Sequence, residues 1–398
     1  MPKKMIEPSR SAREVRYAIR DIVVLASQVA QTGKKMIWLN IGDPCPYGHK
    51  TPEHVIEAAC RSMREQRNGY APSFGYPEAV DAIRRHYEKQ GFRSISEIIC
   101  TTGASEAIDL ALGALLNPGD NVLLPYPVYP LYSAVLARMG VDCNPYYLHE
   151  DNGWLPSLSE LEALVDKRTK AIVIGTPNNP TGAIWPRSLL YELAELARKK
   201  DLLVIADEIY DKLILDDTMH WSIATLAPDL PVVTCNGLSK SYLVPGWRCG
   251  WAVITGDPEK IHDYSQTFGQ LARARLCANG PAMAAIPAAL DGPQDHIAEF
   301  VKKLKESLQT AARCIQNIEG ITLTSPKGAF YAFPKLEIGI SDEEWTKKLI
   351  METGVVVVPG SGFGQKPGSK HFRFVFLPDP PMMEEAFEKI ADFMKHYG

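Results

Sequence analysis

Between about residues 97 and 235 the chain repeats one pattern: a short apolar run, a turn rich in glycine or proline, then a stretch with helical spacing. The runs Ile98–Thr101, the start of NVLLPYPVYPLY (121–132), Ala171–Gly175, Leu202–Ala206 and Val232–Cys235 are short and uniformly apolar, which reads as buried strand. Helical stretches such as LLYELAELARKK (189–200) lie between them. This alternation predicts an α/β fold with a mostly parallel sheet and helices on both of its faces. Open sheets of that kind place ligands beyond the carboxyl ends of their strands. The residues that follow each strand are therefore where chemistry is expected.

Those residues are unusual. Val232–Cys235 leads into NGLSKSYLVPGWRCGW (236–251), with Ser239, Lys240 and, eight positions on, Arg248. Burial disfavours an ammonium, so a lysine emerging from a core strand can lose its proton and attack a carbonyl to form a Schiff base. Arg248 is a permanent cation suited to a phosphate. Ile98–Thr101 meets Gly103-Ala104-Ser105 and an Ala/Leu-rich helix, whose first N–H groups and positive dipole end also suit a phosphate. The loop after residue 121 offers Tyr126, Tyr129 and Tyr132, any of which can stack on a flat ring. TPNNPTG (176–182) sets a pair of asparagines between prolines, which aims a side-chain amide in a fixed direction. The strand at 202–206 ends in ADEIYDK, and a carboxylate there is costly unless it meets a charged or donor partner. Glu208 points away from Asp207 if the strand persists. An amine for an aldehyde and a guanidinium for a phosphate together describe a site for pyridoxal phosphate (PLP).

Ser239, Lys240, Gly246, Arg248 and Gly250 resemble the lysine signature of the fold-type-I, class I and II aminotransferases: serine, lysine, then glycine–any–arginine–any–glycine. With TPNNPTG, ADEIYDK and KHFRFVFLP (370–378), the resemblance runs in family order over about residues 15–395. It implies a large PLP-binding domain (51–290) on a mostly parallel, seven-stranded sheet sandwiched by helices. A smaller α+β domain (291–398) and an N-terminal arm with part of the small domain (1–50) complete the expected chain. It implies PLP joined to Lys240, with Gly103, Ala104, Ser105, Ser239 and Arg248 around it and Tyr129 against its ring. Asp207 would meet the ring nitrogen, and Asn179 and Tyr210 the phenolic oxygen. Tyr70 would cross a homodimer interface to the partner's cofactor phosphate. Asn179, Gly42 and Arg373 would bind substrate, Arg373 through its α-carboxylate. Lys240, Asp207 and Tyr210 are the catalytic candidates. By residues alone, Gly42 fits a plain strand-ending turn, Tyr70 a loop aromatic packed on its own domain, and Arg373 an outward arginine on an alternating strand. Thr176 stands where the family often has asparagine.

Within the family, Tyr17-Ala18-Ile19-Arg20, NGLSKSY, RLCAN and DEIYDK are most similar to the alanine (glutamate–pyruvate) type. That implies L-alanine and 2-oxoglutarate as substrates, with Tyr17 and Arg20 at the pocket and Arg20 on the distal carboxylate. Spacing alone fits Arg20 equally well to an exposed helix charge. The rivals are an aspartate or aromatic aminotransferase, a PLP-dependent carbon–sulfur β-lyase and a ligand-sensing module without catalysis. The last needs an appended DNA-binding segment, and none is visible before residue 15 or after residue 395.

Charge and cysteine usage narrow the partners. Forty-three basic against 47 acidic residues leave a net charge of −4, so nothing electrostatic favours nucleic acid or an anionic membrane. Eight cysteines without CxxC or zinc-ligand spacing read as free thiols in a reducing cytoplasm, with no metal site. No apolar run reaches membrane-spanning length. PGSGFGQKPG (359–368) lacks the strand-to-helix setting of a nucleotide loop and reads as a surface loop. Around it the pattern predicts helices at 294–317, 342–353 and 381–396, and strands at 320–325, 329–333, 355–358 and 371–376.

Overall fold

The computed structural model describes residues 6–15 and 18–397. Its centre is an eight-stranded sheet: β1 (Ile95–Thr101), β2 (Asn121–Tyr126), β3 (Asp142–His149), β4 (Leu155–Pro156), β5 (Thr169–Gly175), β6 (Leu203–Asp207), β7 (Val232–Gly237) and β8 (Gly250–Thr255). Their order across the sheet is β1-β8-β7-β6-β5-β2-β3-β4. The five from β7 to β3 run parallel. β8 lies antiparallel between β1 and β7, and β4 closes the far edge antiparallel to β3. The resemblance implied seven strands, and the eighth is this two-residue edge piece.

Helices cover both faces, so the central strands carry no polar side. Every residue of β7 and β8 is buried. The pleat still sorts side chains between two cores. Ile172, Ile174, Val204 and Ala206 join one cluster, while Ala171, Val173, Leu203 and Ile205 join the cluster on the opposite face.

A further core gathers residues from both ends of the chain, among them Ile37, Leu39, Leu304, Trp345, Phe374 and Phe387. Ile37–Trp38 pairs in parallel with Val355–Val356, which ties the N-terminal segment to the C-terminal one. The helices α1 (Asp295–Ile315), α2 (Asp342–Thr353) and α3 (Pro380–Tyr397) lie within two residues of their expected bounds. The small strands are shorter than expected. Among the described residues Ile321–Thr322 pairs only with Lys335–Leu336, and Tyr331–Ala332 only with the strand Phe372–Val375. A strand with one short neighbour ends where that neighbour's hydrogen bonds end.

The segment 359–368 departs from its reading as a surface loop. Gly360–Phe363 forms a 3-10 turn in which Gly360 and Phe363 are buried. The carbonyl of Phe363 accepts the Val128 N–H at 2.8 Å. Glycine richness signals a turn but not its depth. Among the described residues no helix is long and apolar enough to cross a membrane.

Candidate active site

The carboxyl ends of β5, β6 and β7 open onto a cavity of about 510 Å³, closed from the other side by residues 41–43, Tyr331 and Arg373. Lys240 follows β7 and is half-buried at its floor. Its Nζ donates to the Gly42 carbonyl at 2.8 Å. A Cβ at Gly42 would lie 1.9 Å from Tyr331 Oη, so only glycine lets the backbone reach the lysine here. Buried Ser239 also lines the cavity.

Asp207 ends β6 and faces the cavity, with Oδ1 accepting the Ile209 N–H at 3.3 Å. Burial pushes its carboxyl up to about 6, against the opposing pull of that amide, of Tyr132 and of Lys240. Its surface is partly accessible only because the cavity adjoins it, and the protein around it is deep. The Tyr132 hydroxyl lies beside the carboxylate, short of a fully formed hydrogen bond, and has no other partner among the described residues. Glu208 is 2% exposed, is pushed well up by burial and does not line the cavity. One carboxylate of the pair reaches the site, as the strand geometry predicts.

The asparagine pair divides its work. Asn178 is buried, and its Oδ1 accepts from the Thr181 N–H and hydroxyl, which closes the loop on itself. Asn179 is thereby turned into the cavity, where its Oδ1 accepts from Arg373 Nη1 at 3.1 Å. Arg373 is 1% exposed and points inward. Its Nη2 donates to the Asn40 carbonyl, and its guanidinium lies 4.5 Å and 4.8 Å from the ring centres of Tyr331 and Phe363. Two hydrogen bonds and two aromatic faces fix the plane of the fork, which is the geometry that suits a carboxylate.

Tyr210 donates to the Tyr331 hydroxyl at 3.0 Å, and burial together with Tyr331 pushes its own proton loss well up. In the tyrosine loop, Tyr129 and Tyr132 line the cavity. Tyr126 instead receives the Cys143 thiol at 3.3 Å.

At the outer end, Arg248 adopts a left-handed backbone (φ 53°), donating Nη1 to the Pro245 carbonyl at 3.0 Å and Nη2 to Ser105 Oγ at 2.8 Å. Ala104 and Ser105 begin the helix Ala104–Gly113, so its unpaired amides converge on the same spot. Gly103, at φ +76°, leaves room for this: a Cβ there would stand 2.5 Å from Arg248 Nη2.

Tyr70 is a described candidate that is not brought to this cavity in its own chain, where it is 86% exposed. Tyr17 lies outside the described residues, and of Arg20 only the backbone is described, within the helix Ala18–Ala30. Sequence reasoning missed Tyr331, Phe330, Phe363 and the Asn40 carbonyl. Phe330 and Tyr331 stand two and three residues after Gly328 in an apolar run, a signal for a buried strand but not for a site.

The arrangement supplies an amine, a deep carboxylate, an anion seat at each end and a flat slot between. Residues 34–390 match the family model for aminotransferase class I and II. The chain is 39% identical over 404 residues to a glutamate–pyruvate aminotransferase of Haemophilus influenzae, with 99% of each covered. An aminotransferase from Escherichia coli superposes with a TM-score of 0.96 at 39% identity over 99% of both chains. The alanine aminotransferase from Pyrococcus furiosus does so with a TM-score of 0.94 at 39% identity, over 98% of this chain and all of that one.

Proposed function

The chain belongs to the class I and II aminotransferases, and from that membership we propose that it transfers the amino group of L-alanine to 2-oxoglutarate, using PLP, as a cytoplasmic homodimer. One observation carries the reading: Lys240, Asp207, Asn179, Arg373 and the Arg248–Ser105 pair, drawn from five separate segments, meet at one cavity. The choice of alanine and 2-oxoglutarate is supported by the likeness to the glutamate–pyruvate and alanine enzymes.

The residues fit the cofactor. Arg248, Ser105 and the first amides of the helix form a seat for its phosphate. Asp207, whose burial raises its pKa, gains from a protonated ring nitrogen on the cavity side. Asn179 and Tyr210 would meet the phenolic oxygen, Tyr129 the ring face and Lys240 the aldehyde. When bound, PLP supplies an electron sink for charge developing at the substrate Cα.

The remaining work belongs to the chain. Arg373 grips the α-carboxylate, and Asn179 and the Asn40 carbonyl hold its fork in place. That grip orients the Cα–H toward Lys240. The lysine Nζ takes the proton and later returns it as general acid. The Gly42 carbonyl holds Nζ near its working position. The homodimer is supported by the exposed Tyr70 ring and by the open flank of Arg248. The cytoplasmic location is supported by eight free cysteines, with Cys45 exposed.

The test is to add L-alanine alone to PLP-loaded protein and follow its visible absorption. Conversion to the pyridoxamine spectrum, reversed by 2-oxoglutarate, is expected. A response to aspartate or an aromatic amino acid but not alanine would move the substrate. Sustained release of ammonia and pyruvate from a cysteine-type substrate, without a keto acid, would replace transfer by β-elimination.

A further inference from the structure

His371 stands two residues before Arg373 and is 3% exposed. Its ring lies flat on Phe333, with centres 4.8 Å apart and planes within 5°, and the edge of Trp154 closes it from another side at 5.4 Å. Each ring nitrogen faces an oxygen. Nδ1 is 2.9 Å from Gln365 Oε1, and Nε2 is 3.2 Å from Glu150 Oε2. The Gln365 amide is oriented from behind, because its Nε2 donates to Asp342 Oδ2 at 2.8 Å. The oxygen turned to His371 is therefore an acceptor. A neutral imidazole donates to one of these oxygens, and an imidazolium donates to both. A buried histidine this fully engaged, outside the cavity, calls for an account.

The chain of contacts leads to the carboxylate site. Asp342 Oδ2 also accepts the Ser361 N–H at 2.7 Å, and the His371 carbonyl accepts the Gly360 N–H at 2.7 Å. The His371 backbone, and its ring by way of Gln365 and Asp342, thus hold the start of the turn Gly360–Phe363, whose last side chain lies against the Arg373 guanidinium. The Phe363 carbonyl holds Val128, next to Tyr129. Glu150 is on the opposite body, just past β3, so the bond to it joins the segment bearing Arg373 to the central sheet. The other charged groups nearby are accounted for. Lys335, bridged to His371 through the backbone, pairs with Glu337 at 3.6 Å, and Glu343 faces the Ser361 hydroxyl at 3.5 Å.

We propose that His371 is a positioning residue for substrate carboxylates: by linking Glu150 to Gln365 it clamps the Gly360–Phe363 turn and so holds Phe363 against Arg373. The proposal rests on Arg373 as the carboxylate ligand. Without the clamp, Phe363 drifts off the guanidinium, the fork gains freedom, and carboxylates bind more weakly while the chemistry at Lys240 is spared.

His371→Phe keeps the flat contact with Phe333 and removes the ring-nitrogen contacts to Gln365 and Glu150. Glu150→Ala leaves the ring in place and removes one bond at a more exposed position, so it tests the same link where folding is not at risk. Propionate, a carboxylate without an amine, is titrated by thermal shift into PLP-loaded protein, and steady-state constants are measured alongside. Propionate binding is expected to weaken about threefold to tenfold in both variants. KM for alanine and for 2-oxoglutarate should rise together, with kcat changed less than about twofold. Wild-type propionate affinity in both variants, or a fall in kcat with KM unchanged, overturns the proposal. Arg373→Lys is the control. If it leaves propionate binding unchanged, the assignment of Arg373 itself fails, which is a different result from failure of His371 alone.

Discussion

At the scale of single residues, the site is governed by what burial does to charge. Asp207 illustrates the sign. Its folded pKa of about 6 lies above the ordinary carboxylate value, so the folded protein without cofactor holds a proton that the unfolded chain has already lost. The stability this group contributes is intact below about pH 4 and is lost as pH rises through about 6. Asp207→Asn should therefore stabilise cofactor-free protein at pH 8, by roughly 1–3 kcal/mol before allowance for the solvent in the cavity, and leave it unchanged at pH 4. Thermal melts at the two pH values measure this. The same variant, loaded with PLP, should lose about 100-fold or more in turnover, because an amide cannot hold a positive charge on the ring nitrogen. Equal melts at both pH values would remove burial as the dominant influence on this carboxylate.

At the scale of elements, the anion seat is a joint construction. The helix Ala104–Gly113 provides amides, Gly103 provides clearance, and the turn before β8 provides Arg248. Arg248 brings a full charge, whereas Ser105 brings one hydroxyl that also steadies the guanidinium. Titrating PLP into stripped protein should show Arg248→Ala weakened about 10- to 100-fold and Ser105→Ala less than about tenfold. The reverse order would mean that the helix start, not the arginine, dominates the seat. The loop Thr176–Gly182 is built on the same logic. Asn178 closes the loop while Asn179 reaches Arg373, and the sequence shows the pair without showing which member makes which contact.

At the scale of the whole molecule, the cavity of one chain leaves Tyr70 unused. If Tyr70 acts in the partner's site, Tyr70→Ala and Lys240→Ala subunits should complement each other. A mixed dimer has one site with an intact lysine and an intact tyrosine from across the interface. Refolding the two variants together should recover up to about a quarter of wild-type activity, well above either variant alone. Activity no greater than the mean of the two parents would place Tyr70 outside its partner's site.

The sequence by itself determined the sheet and the residue types waiting at its strand ends. Uniformly apolar runs record burial on both faces, and Gly103, the asparagine pair, Asp207 and Lys240 each follow such a run. It did not determine how far the strands around Arg373 extend or which way that side chain faces. The alternating pattern there fits an outward arginine, yet all four residues of Phe372–Val375 are buried, so both faces of the strand are covered. Nor did it reveal the aromatic faces of Tyr331 and Phe363 or the burial of residues 360–363. The decisive contacts join Arg373 to Asn179, 194 residues away, and Lys240 to Gly42, 198 residues away. Local periodicity states whether a side chain meets water or protein. Which remote segment it meets is settled only when the layers pack, because that choice depends on shape and hydrogen-bond geometry across the whole fold.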